Sequence, residues 1–332
     1  MFFSRRAGPF HFLALYNWSG DGGQLLAIHV GVVGTVFVDC KGFAAANYVP
    51  LGRNVGSVRF VHGGVGRNVA ENLAQLGLPV SLVSSIDRGA IGADVAVRLA
   101  AAGVDTAFLA EMDKCGMGMW LAVMDGQGEL AGSISQMPNL QGMADMIDQR
   151  GADLINRVTH IALELDLNET ITKQVLKLAR GKKLPVYGLP GNLSVILNTP
   201  EVLDGLSCFI CNHIEAGRLC GTELDENEPA HVLDRLPSFA RERNLESVVV
   251  TLGPCGCAFL DVRTGESGIQ PAMKVNVVDT CGAGDAFFSG TMAGLVRGET
   301  LTQAVVTGTR AAACTIQSAE NSCPSLGAQM AV

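Results

Sequence analysis

Charge and aromatic surface are both scarce in this chain: Asp, Glu, Lys and Arg supply 17% of 332 residues, and aromatic residues only 5%. Acidic residues outnumber basic ones 32 to 24, for a net charge of −8. No Lys/Arg run is long enough to form a patch for a phosphate backbone, so a nucleic-acid partner is not expected. No stretch reaches about 18 consecutive apolar residues, so no membrane partner is expected either. The 40 glycines follow no three-residue period, which excludes a collagen-like chain. Ten cysteines are too dilute over this length for a disulfide framework and read as small apolar residues of a reduced, cytoplasmic protein. Cys208 and Cys211 have the spacing of half a zinc site, but they lie in the apolar run Leu206–Cys211. On a strand, residues three apart point to opposite faces and cannot share a metal. At the N-terminus, Arg5 and Arg6 precede a short apolar stretch, Phe10–Leu15, with no small-residue cleavage site. Residues 1–25 therefore read as an extension, not a signal peptide.

What the chain has in quantity is aliphatic surface. Hydrophobic residues are 48% of the sequence, and Ala, Val, Leu and Gly dominate. Continuous aliphatic runs are the mark of parallel strands buried under helices, and a core of this size needs no staples. Strands are expected over 27–38, 80–85, 160–165, 186–189, 209–211 and 247–252. Helices are expected over 69–76, 90–102, 170–180, 231–244, from 284 to 296, and over 301–317. This alternation predicts one large α/β layered domain over residues 26–330. Segments near 40–60 and 105–137 break the pattern and predict a small β excursion.

Four polar constellations punctuate the aliphatic runs. Val278-Asp-Thr-Cys-Gly-Ala-Gly-Asp285 leads straight into an apolar helix. Gly282 and Gly284 let the backbone wrap a ligand, and free N–H groups at a helix start face an anion. Asp285 at the head of that helix is placed to take a proton from a hydroxyl while the anion hole holds developing phosphoryl charge; the plainer reading is an N-cap. Gly63-Gly-Val-Gly-Arg-Asn68 precedes a second helix, but it is neither a dinucleotide fingerprint nor a Walker A loop. Asn212-His-Ile-Glu215 follows an apolar strand and suits Mg²⁺ held through water, or a helix-start cap. Thr251-Leu-Gly-Pro-Cys-Gly256 is a turn that fits along a nucleotide, or an ordinary β-turn.

In this order and together, the four motifs resemble those of the ribokinase-like (PfkB) family of carbohydrate and nucleoside kinases, over about residues 27–326. The resemblance implies a three-layer α/β/α fold with a mostly parallel central sheet and a small β lid. It implies ATP-dependent phosphorylation of a hydroxymethyl group on a nucleoside or sugar. Asp285 would be the base, and the amides around Gly282, Ala283 and Gly284 the anion hole. Asn212 and Glu215 would organise Mg²⁺ through water, with Thr251, Gly253 and Gly256 along the nucleotide. Asp39, Gly63, Gly64 and Asn68 would hold the substrate, and Asp279 with the Cys281 carbonyl a possible K⁺. The lid would exclude water and pair two copies into a homodimer. Gly63–Asn68 with its Arg67, and Asp166-Leu-Asn168, look most like pseudouridine kinases, so Asp166 and Asn168 would line the substrate side. A ribokinase- or fructokinase-like sugar kinase is the alternative. A non-catalytic sugar- or nucleoside-binding regulator is the alternative of another class.

Overall fold

Strand side chains that alternate between two buried cores set the architecture. The structure, a computed structural model, describes residues 16–18, 25–127 and 129–330. A short antiparallel pair, β1 (Tyr16–Trp18) and β2 (Leu25–Ala27), precedes the domain, and the rest of the expected extension lies outside the described residues. The other strands are β3 (Val30–Val33), β4 (Phe37–Ala44), β5 (Gly56–Gly63), β6 (Val80–Asp87), β7 (Val104–Met112), β8 (Gly118–Met124) and β9 (Leu130–Gln136). They continue as β10 (His160–Glu164), β11 (Val186–Leu189), β12 (Cys208–Asn212), β13 (Ser247–Thr251), β14 (Cys257–Asp261) and β15 (Ser267–Gln270). The helices are α1 (Val65–Gln75), α2 (Ala90–Ala101), α3 (Gln141–Arg157), α4 (Glu169–Gly181), α5 (Ser194–Asn198), α6 (His213–Cys220), α7 (Pro229–Glu242), α8 (Ala283–Val296), α9 (Leu301–Thr315) and α10 (Leu326–Met330).

Nine strands form the central sheet in the order β15-β14-β13-β12-β11-β10-β3-β6-β7. It is parallel from β13 to β7, and β14 and β15 close one edge antiparallel. Val32, Ala162, Ile210 and Val249 point into a core shared with α1, α2, α8 and α9. Val33, Leu163, Phe209 and Val250 point into the opposite core, with α3, α4 and α7. Strands buried on both faces are why the sequence reads as unbroken aliphatic runs. Cys208 and Cys211 fall in opposite cores, as their spacing on a strand requires.

Four strands outside this sheet form a second one, in the order β5-β4-β8-β9. Its composition corrects two sequence boundaries. The strand expected over 27–38 ends at Val33, and Phe37–Ala44 leaves for the smaller sheet. Val104–Met112, expected in the excursion, pairs parallel with β6 at the edge of the central sheet. Helix α3 was not expected. Gly142 and Gly151 interrupt its sequence, yet Met143, Ile147, Leu154 and Ile155 are buried along one face. At Gly151 a Cβ would lie 2.8 Å from Leu178 Cδ1, so close packing on α4 favours the glycine that weakens the helical signal.

Candidate active site

The C-terminal ends of parallel strands open towards ligands in sheets of this kind. Here the smaller sheet stands beside those ends, and between them lies a cleft of about 580 Å³. Its polar floor includes Thr35, Asp39, Gly64, Asn68, Glu164, Asp166 and Asp285. Cross-strand pairing puts Asp39, Trp120 and Ser135 in one row of the smaller sheet, and all three line the cleft. Trp120, Met137, Pro138, Leu140 and Leu167 make an apolar wall.

Asp285 sits in the first turn of α8, whose N-terminus is set by Gly282 in a left-handed conformation, φ 77°. A side chain there would be strained, and its Cβ would lie 1.9 Å from the Asn321 carbonyl oxygen. Asn68 Nδ2 donates to Asp285 Oδ2 at 2.7 Å. Burial pushes the Asp285 carboxyl up to about 6, while the Asn68 hydrogen bond and the Arg67 charge oppose the rise. At Gly284 a Cβ would meet nothing within 4 Å, so the helix start faces open space.

Gly64 forms the other turn. Its φ is 93°, and a Cβ would lie 2.6 Å from both the Phe37 nitrogen and the Thr35 oxygen. The turn delivers Asn68 to the cleft and leaves Arg67 wholly buried, away from it. Asp39 accepts from Asn321 Nδ2 at 3.3 Å beside Gly63. Asp166 lines the cleft, but its oxygens accept from the backbone of Gly191 (2.9 Å) and Val195 (3.1 Å). Asn168 does not reach the cleft lining; it caps α4 by accepting from the Ile171 N–H at 2.8 Å. The resemblance put Asp166 and Asn168 together on the substrate side; the structure places Asp166 on the cleft and Asn168, two positions beyond it, at the start of α4.

Asn212 and Glu215 form a reciprocal cap on α6, each side chain accepting from the other's backbone N–H at 2.8 Å. That is the plainer of the two sequence readings, and it leaves one Glu215 oxygen uncommitted, compatible with water-mediated Mg²⁺. Thr251 pairs in register with Asn212, and the Gly253–Cys255 turn follows with Gly253 and Gly256 at φ 51° and 97°. These residues stand outside the lining of the main cleft. The Asp279 carboxylate already carries two donors: the Lys41 ammonium at 3.4 Å and the Cys281 N–H at 2.9 Å.

Sequence reasoning missed Glu164. It is buried, accepts from the Thr35 N–H at 2.7 Å, and is pushed up to about 7 by burial. A lone acid at the end of the apolar run Ile161–Leu165 was its signal. Trp120 gave none, because only cross-strand register brings it beside Asp39.

A half-buried acid and a glycine-built helix start, below a mostly parallel sheet's C-terminal edge and beside a small β sheet, make the architecture of a small-molecule kinase. The pfkB family carbohydrate kinases match residues 27–325. A guanosine-inosine kinase of Exiguobacterium acetylicum is 37% identical over 293 residues, covering 88% of this chain and 95% of that protein. A pseudouridine kinase of Escherichia coli is 26% identical over 263 residues, covering 79% and 82%. In fold, an Arabidopsis thaliana ribokinase solved with ribose and ATP superposes with a TM-score of 0.77 at 20% identity, over 92% of this chain and 100% of that one. The chain belongs to the pfkB family, and it is an ATP-dependent carbohydrate or nucleoside kinase.

Proposed function

We propose that this kinase phosphorylates the hydroxymethyl group of a purine ribonucleoside of the guanosine or inosine type. The observation that carries the reading is the two-sided cleft, with a polar floor around Asp39, Asn68 and Asp285 and an apolar wall around Trp120. The floor suits a ribose and the wall a flat heterocycle, which stacks on aromatic and apolar surface. The 37% relative named for guanosine and inosine supports the same choice. Pseudouridine, favoured by the sequence signature and the 26% relative, is the second reading. One of its supports is weakened, because Arg67 is buried and does not touch the cleft.

In this reading Asp285 takes the hydroxyl proton as that oxygen bonds to the γ-phosphorus of ATP and the bond to the bridging oxygen breaks. The Cys281 and Ala283 N–H groups donate to Asp279 and to the Thr280 carbonyl, so the N–H groups of Gly282 and Gly284 are the ones that hold the charge on the transferring phosphoryl. Asp39 and Asn68 orient the ribose hydroxyls, and Thr251, Gly253 and Gly256 lie along the nucleotide. Mg²⁺ would supply charge neutralisation to the phosphates, held through water by Glu215 and Asn212. The smaller sheet acts as the lid that excludes water. Its outer face carries the row Phe60–Cys40–Leu121–Ile134, with Phe60 59% and Ile134 69% exposed, and a second copy of the chain covers it. The ten free cysteines fit a cytoplasmic location.

The test is ADP release with ATP and Mg²⁺ across guanosine, inosine, pseudouridine, uridine, ribose and fructose. Preference for guanosine or inosine is the expected result. Preference for pseudouridine selects the second reading, and preference for a free sugar removes the role given to the apolar wall. Silence on all six removes the purine-ribonucleoside reading and places the kinase's acceptor outside these compounds.

A further inference from the structure

Arg67 is a wholly buried cation that neither reaches the surface nor lines the cleft. A guanidinium in such a place is retained only where its donors are used, because burying the charge alone is costly. One terminal nitrogen pairs with the Glu71 carboxylate one helical turn on. The other donates to the His62 carbonyl at 2.7 Å and to Asn68 Oδ1. Glu71 is held in turn by Arg98, which also pairs with Glu320 at 2.9 Å.

The consequence lies in the Asn68 amide. A guanidinium only donates, so it accepts no orientation of Asn68 except the one that turns Oδ1 towards it. The Nδ2 edge is then left to donate to Asp285 Oδ2 at 2.7 Å. A flipped amide would set two acceptors, a carbonyl oxygen and a carboxylate, against each other. The geometry points to Arg67, braced by Glu71, as a positioning residue that fixes the Asn68 amide and through it the Asp285 carboxylate. This inference rests on Asp285 being the base.

Asp285 is otherwise surrounded by groups that disfavour its ionised form. Glu164 on β10 and Glu215 on α6 repel it, and burial penalises the charge; Asn68 and Arg67 on α1 oppose them. Losing the Arg67 clamp therefore moves the base's titration to higher pH, a change that general loosening of the fold does not produce.

The experiment compares kcat and KM between pH 5.5 and 9 for the full chain, Arg67→Lys, the double variant Arg67→Met with Glu71→Met, and Asp285→Asn. The double variant removes both buried charges together, so neither is left unpaired. Its acid limb should move up by about one pH unit, giving a roughly 3-fold loss of kcat at pH 6.5 that grows to about 8-fold at pH 5.5 and shrinks above pH 8, with KM for ATP unchanged. Arg67→Lys keeps the charge but not the fork, so its kcat should fall while its acid limb stays near that of the parent. If either folded variant has the parent's kcat and acid limb, the inference is overturned. If the double variant does not fold, Arg67→Lys decides alone. Should Asp285→Asn retain normal turnover, the base assignment itself has failed, an outcome separate from loss of the positioning role.

Discussion

Burial of a carboxylate penalises its ionised form, and Asp285 carries that cost in the folded protein, where its pKa rises from an ordinary 3.8 to about 6. Between those values the folded state holds a proton that the unfolded chain has lost, so this residue's contribution to stability falls as pH rises through that range. Asp285→Asn never ionises. It is expected to gain about 1–2 kcal/mol over the parent in chemical unfolding at pH 7.5, an advantage that vanishes near pH 4. The same substitution should abolish phosphorylation while leaving nucleotide binding intact; near-normal turnover would remove Asp285 as the base. Glu164 titrates near 7, and its partner Thr35 donates both N–H and hydroxyl. Glu164→Gln is expected to keep the fold and raise KM for the nucleoside several-fold, read from initial rates. The candidate acid of the helix start was legible in sequence, because its flanking glycines mark it. Glu164 was not, because one acid ending an apolar strand has no spacing partner.

At the scale of the element, two glycines two residues apart have different tasks. Gly282 holds the turn that starts α8, and a methyl there would meet the Asn321 carbonyl at 1.9 Å. Gly282→Ala should lower thermal stability and activity together. Gly284 faces open space, so Gly284→Ala should leave the melting temperature within error and reduce kcat about 10-fold or more by intruding on the phosphoryl position. Equal melting losses for the two would contradict this division. Capping is what the structure shows at Asn168 and Asn212. Both satisfy the first N–H groups of the helices that follow, which for Asn212 is the plainer of its two readings.

For the whole molecule, the apolar outer row of the smaller sheet predicts association. Phe60→Asp combined with Ile134→Asp should convert a dimer to a monomer in sedimentation, with the central domain's melting unchanged. A parent that sediments as a monomer removes the pairing of lids. Trp120→Ala, on the opposite face of that sheet, should raise KM for a nucleoside about 10-fold but hardly alter KM for free ribose.

The sequence by itself determined the parallel central sheet, since strands buried on both faces must be aliphatic throughout. It also determined the two glycine turns, because only glycine relieves the strain and close contacts at Gly64 and Gly282. Tertiary structure alone decided which polar residues meet. Asn68 and Asp285 lie 217 positions apart, and Lys41 reaches Asp279 across 238. It decided Arg67 as well. From sequence, a cation on the first turn of a helix reads as surface or ligand contact. Only the packing of α1 shows it buried, with its two terminal nitrogens spent on Glu71, His62 and Asn68. Periodicity records how each element faces the core, but it carries no information about which elements share an end of the sheet.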